Sequence, residues 1–243
     1  MIRSAWFAVV TVAATAWYSI RAIIGGLRRA PQGEFDSVQR GWADALLRAS
    51  GVRVRVEGQE NLPSREGAIL VANHQSNFDI FALLATLPVS IRFVAKQELS
   101  KIPLLAQAMR SAGHVFIDRS DRRGSVAAMR AAAARMRAEG TCLGLFPEGT
   151  RSRDGRLGSF KKGSFVLAIE TGLPIVPIAL DGGWRLAHGR GIRPGEVRIR
   201  VGDPIVTEGR TIRDRDLVLE QVHESVADLL RSLREESGDS TPL

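Results

Sequence analysis

Between residues 68 and 180 the chain alternates short apolar runs with longer stretches of helical character, and this pattern restricts its fold more than any other feature. The apolar runs cover 68–72, 91–95, 115–117, 142–146 and 175–180. They are too short for helices, and near-continuous apolar runs of this length read as strands buried on both faces. The segments 79–86, 102–111, 122–138 and 162–170 read as helices, the second opened by Pro103. Strands alternating with helices predict an α/β fold, a sheet covered by helices, with a ligand site at the strand ends.

Outside that stretch the signals are simpler. Phe35, Val38, Trp42, Ala45, Leu46 and Ala49 fall at helical spacing, and Gly51 ends that helix. Val52, Val54 and Val56 alternate with Arg53 and Arg55, as in a half-exposed strand, and Val197, Ile199 and Val201 alternate again. A last helix is predicted over 213–234, with a polar tail expected to fray. No long linker interrupts the chain after residue 51, so 51–243 reads as one domain preceded by an N-terminal helical segment, 1–50. The lone Cys142 excludes an internal disulfide framework.

The net charge of +8 calls for a negatively charged partner or surface. No zinc-finger spacing, RNP-like strand or cysteine pair accompanies it, so nucleic acid gains nothing beyond charge. The N-terminus points elsewhere. Ser4 to Ile20 is a run of 17 residues without a charge, between Arg3 and Arg21, with Trp6, Trp17 and Tyr18 near its ends. As a helix it covers roughly 25 Å, slightly short of a ~30 Å hydrocarbon core, and its aromatic residues suit the two interfaces. Membrane anchoring is the expectation; a cleaved signal peptide and a buried core helix are the alternatives. Positive charge is denser after the run than before it, which puts the body on the cytoplasmic side of an inner membrane.

Three segments carry residues suited to chemistry. In Asn73-His74-Gln75-Ser76-Asn77-Phe78-Asp79 the histidine and aspartate stand five apart across a strand-to-helix corner. Asp79 can then accept from one ring nitrogen and leave the other free to take a proton, although local capping of the helix explains the same pattern. Ser76 lacks a nucleophile elbow and Cys142 lies in an apolar strand, so direct attack by a substrate hydroxyl, deprotonated by His74, is favoured over a covalent intermediate. In the second segment, Phe146 to Arg153, Arg151 and Arg153 can grip a phosphate, and Glu148 can bind a substrate hydroxyl or hold an arginine. Lys161 and Lys162 open the next helix, where backbone N–H groups also favour an anion. A solvated basic loop is the plain alternative. In the third, Gly113 to Arg119, the arginine leaves a strand end near the other two. Four scattered histidines and one cysteine give no metal-ligand spacing.

These segments, in this order and followed by Val176-Pro177-Ile178-Ala179-Leu180, resemble the glycerolipid acyltransferase family, most closely its 1-acyl-glycerol-3-phosphate acyltransferases. The likeness spans about residues 70 to 180 and includes the stretch from Ala95 to Pro103. It implies a central mixed sheet covered by helices, behind a membrane-associated N-terminal segment. It implies His74 as base and Asp79 as its partner. Arg119, Glu148, Gly149, Thr150 and Arg151 would bind the glycerol phosphate, with Lys101 a further contact, and Pro177 would shape the acyl-binding side. The acyl donor would be acyl-CoA or acyl carrier protein, the acceptor lysophosphatidic acid at a phospholipid surface, with no metal or cofactor. Backbone N–H groups near the His74 turn are the expected oxyanion donors. The alternatives are another lyso-lipid acceptor such as lyso-ornithine lipid, a hydrolase using water, and a non-catalytic basic membrane-binding module.

Overall fold

The computed structural model describes residues 2–63, 67–118, 121–188, 191–239 and 241–243. In chain order the elements are α1 (Ile2–Leu27), α2 (Gln32–Ser50), β1 (Val52–Glu57), β2 (Ile69–Ala72), α3 (Asn77–Thr86), β3 (Ile91–Lys96), α4 (Pro103–Ser111), β4 (Val115–Ile117) and α5 (Arg122–Glu139). They continue with β5 (Cys142–Leu145), α6 (Gly163–Thr171), β6 (Ile175–Asp181), α7 (Gly183–Leu186), β7 (Ala187–His188), β8 (Gly191–Ile192), β9 (Gly195–Val201) and α8 (Arg215–Ser237). Seven strands form one sheet in the order β1-β9-β6-β2-β5-β3-β4. The five from β6 to β4 run parallel, whereas β9 pairs antiparallel with β6 and carries β1 parallel to itself. The sheet is therefore mixed, as expected.

Side-chain alternation divides the core. Leu70 and Ala72 pack to one face with Ala43 and Leu47 of α2 and with Phe78, Ala82 and Leu83 of α3. Ile69 and Val71 pack to the other, against Ala133 and Met136 of α5, Phe165 and Ala168 of α6, and Val222 and Val226 of α8. Covering both faces is what makes β2, β5 and β6 buried at every position. β1, at the sheet edge, keeps its arginines outward, and Arg55 pairs with Glu57 of its own strand. Helix ends follow the sequence: Gly51, Gly140, Gly172 and Gly238 each take the left-handed conformation that closes a helix.

The N-terminal helix lies along the body. Ser4 accepts from the Ile192 amide, Phe7 meets Phe78 at 5.9 Å, Thr15 accepts from the Trp42 indole, and Gly41 leaves room for the Tyr18 ring. Its other face exposes Trp6, Val9, Val12, Trp17, Ile20 and Ile24. By length and composition this is a helix apolar enough to cross a membrane.

The β7–β8 hairpin and the short α7 carry no period in the sequence, and appear only where the chain folds back beside β9. One expectation needs correction: the described residues of the tail are tied down, since Asp239 and Thr241 bond Arg185, and Arg234 donates to the carbonyls of Thr241 and Pro242.

Candidate active site

Parallel pairing brings the first two motifs together. Val71 of β2 lies opposite Leu145 of β5, so the chain leaves both strands at the same edge, one into His74 and the other into Glu148. Asn73, at the end of an apolar strand, is buried because its amide exchanges two hydrogen bonds with the Leu180 backbone, at 2.8 and 2.7 Å. That bond pair extends the sheet by one side chain and sets where His74 emerges.

The turn after Asn73 wraps around Asp79. This carboxylate is fully buried, and its Oδ2 meets His74 Nδ1 at 2.8 Å and accepts from the Gln75 and Ser76 amides at 2.6 and 2.7 Å. Ser76 caps α3 by accepting from the Phe78 amide at 3.1 Å. Capping and orienting His74 are thus a single arrangement. The His74 ring stacks on Phe146 at 4.0 Å, with 16° between planes, and Phe146 stacks on Phe93 at 5.8 Å. With Nδ1 held by the carboxylate, Nε2 is the nitrogen left for proton transfer.

Glu148 is engaged by backbone, and no arginine among the described residues pairs with it. Its Oε1 accepts from the His74 amide at 2.8 Å and its Oε2 from the Gly158 amide at 3.2 Å. Ser152 returns an amide to the His74 carbonyl at 2.8 Å. The 146–158 loop is thereby sewn to the His74 turn on both sides. Burial pushes the Glu148 carboxyl up to about 7, against the two amide bonds that lower it, and the Asp79 charge adds to the rise. The amides of His74, Gln75 and Ser76 all point at carboxylates, so these three, which the sequence expectation counted among the oxyanion donors, are engaged.

A cavity of about 1000 Å³ runs past His74. Its lining includes Tyr18 and Ala22 of α1, Val38 and Trp42 of α2, and Leu105 and Met109 of α4. It also includes Gly149, Thr150, Arg151, Lys161, Lys162 and the start of α6. Arg151 is exposed and donates to Asn77 Oδ1 at 3.0 Å. Gly149 has φ 70°, and a Cβ there would sit 2.5 Å from Lys161 Nζ, so the glycine lets the lysine lie across the loop. His114 also faces the cavity; burial holds it near 3, hence neutral, accepting from the Phe93 amide and bonded to Gln39 Oε1 at 2.7 Å.

Of the sequence-predicted residues, His74, Gly149, Thr150 and Arg151 line this cavity, while Asp79 and Glu148 stand behind His74. Lys101 is exposed and outside the described lining, which takes Lys96 and Lys161 instead. Pro177 is also outside it: it lies in β6 opposite Val71, with Gly202 against its ring, so it shapes the sheet rather than the cavity wall. Arg119 falls outside the described residues. Cys142 is buried and its thiol is pushed up to about 11, which fits a core residue. The contributions of Tyr18, Val38, Trp42 and His114 were invisible in sequence because they come from separate helices and one strand end. Asn73 had a signal, a polar residue ending an apolar strand.

Comparison with known proteins bears on the family and the fold. Residues 53–181 match the family described as Acyltransferase. The chain is 37% identical over 177 residues to a 1-acyl-sn-glycerol-3-phosphate acyltransferase of Limnanthes douglasii, covering 72% of this chain and 62% of that one. It is 31% identical over 185 residues to 1-acyl-sn-glycerol-3-phosphate acyltransferase alpha of Homo sapiens, covering 75% and 65%. The chain thus spans less than two thirds of these relatives' length. The crystal structure of the 1-acyl-sn-glycerophosphate (LPA) acyltransferase PlsC from Thermotoga maritima superposes with a TM-score of 0.82 at 28% identity, over 96% of this chain and 95% of that one. With the family match covering both segments that meet at the histidine, the chain belongs to the acyltransferase family.

Proposed function

We propose that this protein transfers an acyl chain from a thioester, on coenzyme A or acyl carrier protein, to the sn-2 hydroxyl of 1-acyl-glycerol-3-phosphate, giving phosphatidic acid. The observation that carries this reading is the His74–Asp79 pair on a cavity lined both by apolar residues of α1, α2 and α4 and by Arg151, Lys161 and Lys162. The acyl chain lies toward α1, α2 and α4. The acceptor phosphate lies toward Arg151, Lys161 and the start of α6, where a helix N-terminus favours an anion. Arg119, two residues beyond β4, joins them on the family resemblance.

His74 Nε2 removes the proton from the acceptor hydroxyl as its oxygen attacks the thioester carbonyl. Asp79 stabilises the imidazolium that forms. The tetrahedral oxyanion is met by groups of the cavity lining such as Thr150 and Lys161, since the amides of His74, Gln75 and Ser76 are engaged by carboxylates. Collapse breaks the C–S bond, and the thiolate takes the proton from His74. Holding both substrates beside one base supplies much of the rate.

Membrane association through the exposed face of α1 fits a lipid acceptor, with residues 1–50 as the membrane-associated segment, 51–243 as the acyltransferase domain and the body on the cytoplasmic side of an inner membrane. The test is thiol release from one acyl-CoA and one acyl carrier protein donor, against lysophosphatidate, lyso-ornithine lipid, lysophosphatidylglycerol and glycerol-3-phosphate. Release with lysophosphatidate and loss of roughly 10³-fold in His74→Ala support the reading. Turnover of another acceptor with lysophosphatidate inert would sink it, as would release without any acceptor.

A further inference from the structure

The 146–162 loop is fastened at its base, by Glu148 to Gly158 and by the Lys161 amide to the Pro147 carbonyl at 2.9 Å. Its tip, near Gly155, is held differently. Arg234 of α8, 3% exposed, donates from Nη2 to the Gly155 carbonyl at 2.5 Å. The same guanidinium reaches Asp181 Oδ1 at 3.3 Å through Nε, and the Thr241 and Pro242 carbonyls at 3.1 and 2.8 Å through Nη1. Asp181, itself fully buried, is also held by Arg198 at 2.6 Å. A second contact converges on the same glycine. Gly155 has φ 82°, and a Cβ there would run into the Trp184 indole. Arg185 lies over that indole at 4.7 Å and is bonded to Asp239 and Thr241 at 2.6 and 2.9 Å. Gln75, beside His74, also reaches the Gly155 carbonyl, at 3.5 Å.

We propose that Arg234 is a positioning residue for substrate: with Trp184, Asp239, Thr241 and Pro242 it pins Gly155, and so fixes where Arg151 meets the acceptor phosphate. A buried arginine holding a loop carbonyl is costly unless every donor is engaged. Here the guanidinium bonds one carboxylate and three backbone carbonyls, which draw α8, the tail and the loop to one point. Arg151, by contrast, is exposed and donates to Asn77 Oδ1, so its place depends on the loop beneath it. The inference rests on the acyltransferase reading for its effect on substrate, but not for the anchoring itself.

The test uses the full chain, Arg234→Met and Gly155→Ala. The second variant leaves Asp181 its partners and decides the matter if the first does not fold. Exposed Arg151, Arg153 and Arg156 make the loop a trypsin substrate once its tip is released. Nicking at these arginines should accelerate about 10-fold or more in both variants. The KM for lysophosphatidate should rise about 10-fold, with kcat within about 3-fold of the parent and the KM for acyl-CoA unchanged. Unchanged nicking in a folded variant would overturn the anchor. Faster nicking with an unaltered acceptor KM, or with the loss in kcat alone, would overturn the positioning role. If the parent protein turns over no lysophosphatidate, the functional reading fails, and digestion still decides whether Arg234 holds the loop.

Discussion

The 73–79 turn and the 146–158 loop meet at His74 and are each organised by one buried carboxylate, yet they are built in opposite ways. Asp79 finds its partners within five residues of itself: a ring nitrogen and two amides of its own turn. Glu148 reaches 74 residues back to the His74 amide and ten forward to Gly158. Asp79 is a local device that helix capping alone would assemble. Glu148 is a tertiary device that exists only once β2 and β5 are paired. Glu148 is pushed up to about 7, because two amides compensate burial incompletely. The difference teaches that the base is held by its own turn, while the substrate-gripping side is held by the fold.

Asp79→Asn should break the local half most severely. The amide cannot stabilise the imidazolium and presents N–H groups to donors, so kcat should fall roughly 10³-fold or more in a thioester assay. Asp79→Ala should in addition lower the unfolding free energy by about 1–3 kcal/mol, from buried amides left without an acceptor. A variant retaining a tenth of parent turnover would show that His74 needs no orienting carboxylate.

Glu148→Gln tests the tertiary half, with an expected loss of about 10- to 100-fold in kcat/KM, a loss of orientation rather than of the base. Its pH dependence separates two effects. Burial raises the folded carboxyl from its ordinary 4.5 to about 7, so the folded state binds more protons between those values. Stability from this group is therefore fullest below about 4.5 and falls as pH rises to about 7. The ionised form accepts both amides, so activity should rise over the upper part of that window. Thermal melts of parent and Glu148→Gln from pH 5 to 8 should show the parent's relative Tm declining toward 7. A constant difference would contradict the shift.

Arg151→Ala should leave melting unchanged, since the side chain is exposed, and raise the acceptor KM about 10-fold through loss of a charge-assisted contact. Lys101→Ala should change turnover by less than about 2-fold, because the residue stands outside the described cavity lining. A larger effect from Lys101 than from Arg151 would mean that the acceptor approaches from the α4 side.

Much of this was legible beforehand, for identifiable reasons. β2, β5 and β6 are continuous apolar runs because both faces are covered, and they read as strands without any partner being known. His74 and Asp79 fit one another at a spacing that only a strand-to-helix corner supplies. Lys101 and Pro177 were placed by resemblance to a motif, and motif membership does not say which way a side chain turns. The apolar part of the cavity lining had no signal, because Trp42 and Met109 look like ordinary core residues and Tyr18 reads as a membrane-interface aromatic, on three different helices.

Sequence alone determined the α/β alternation, the local histidine–aspartate pair and the apolar N-terminal helix, since each depends on periodicity or on groups within a few residues of one another. Tertiary structure decided that Glu148 supports the His74 backbone and that the loop is tied to Arg234. Those facts depend on segments up to 79 residues apart, such as Gly155 and Arg234, being brought to one point, and no local pattern records such a meeting. His74 is the residue where the two kinds of information join: its ring is oriented from within its own turn, and its amide is held from across the sheet.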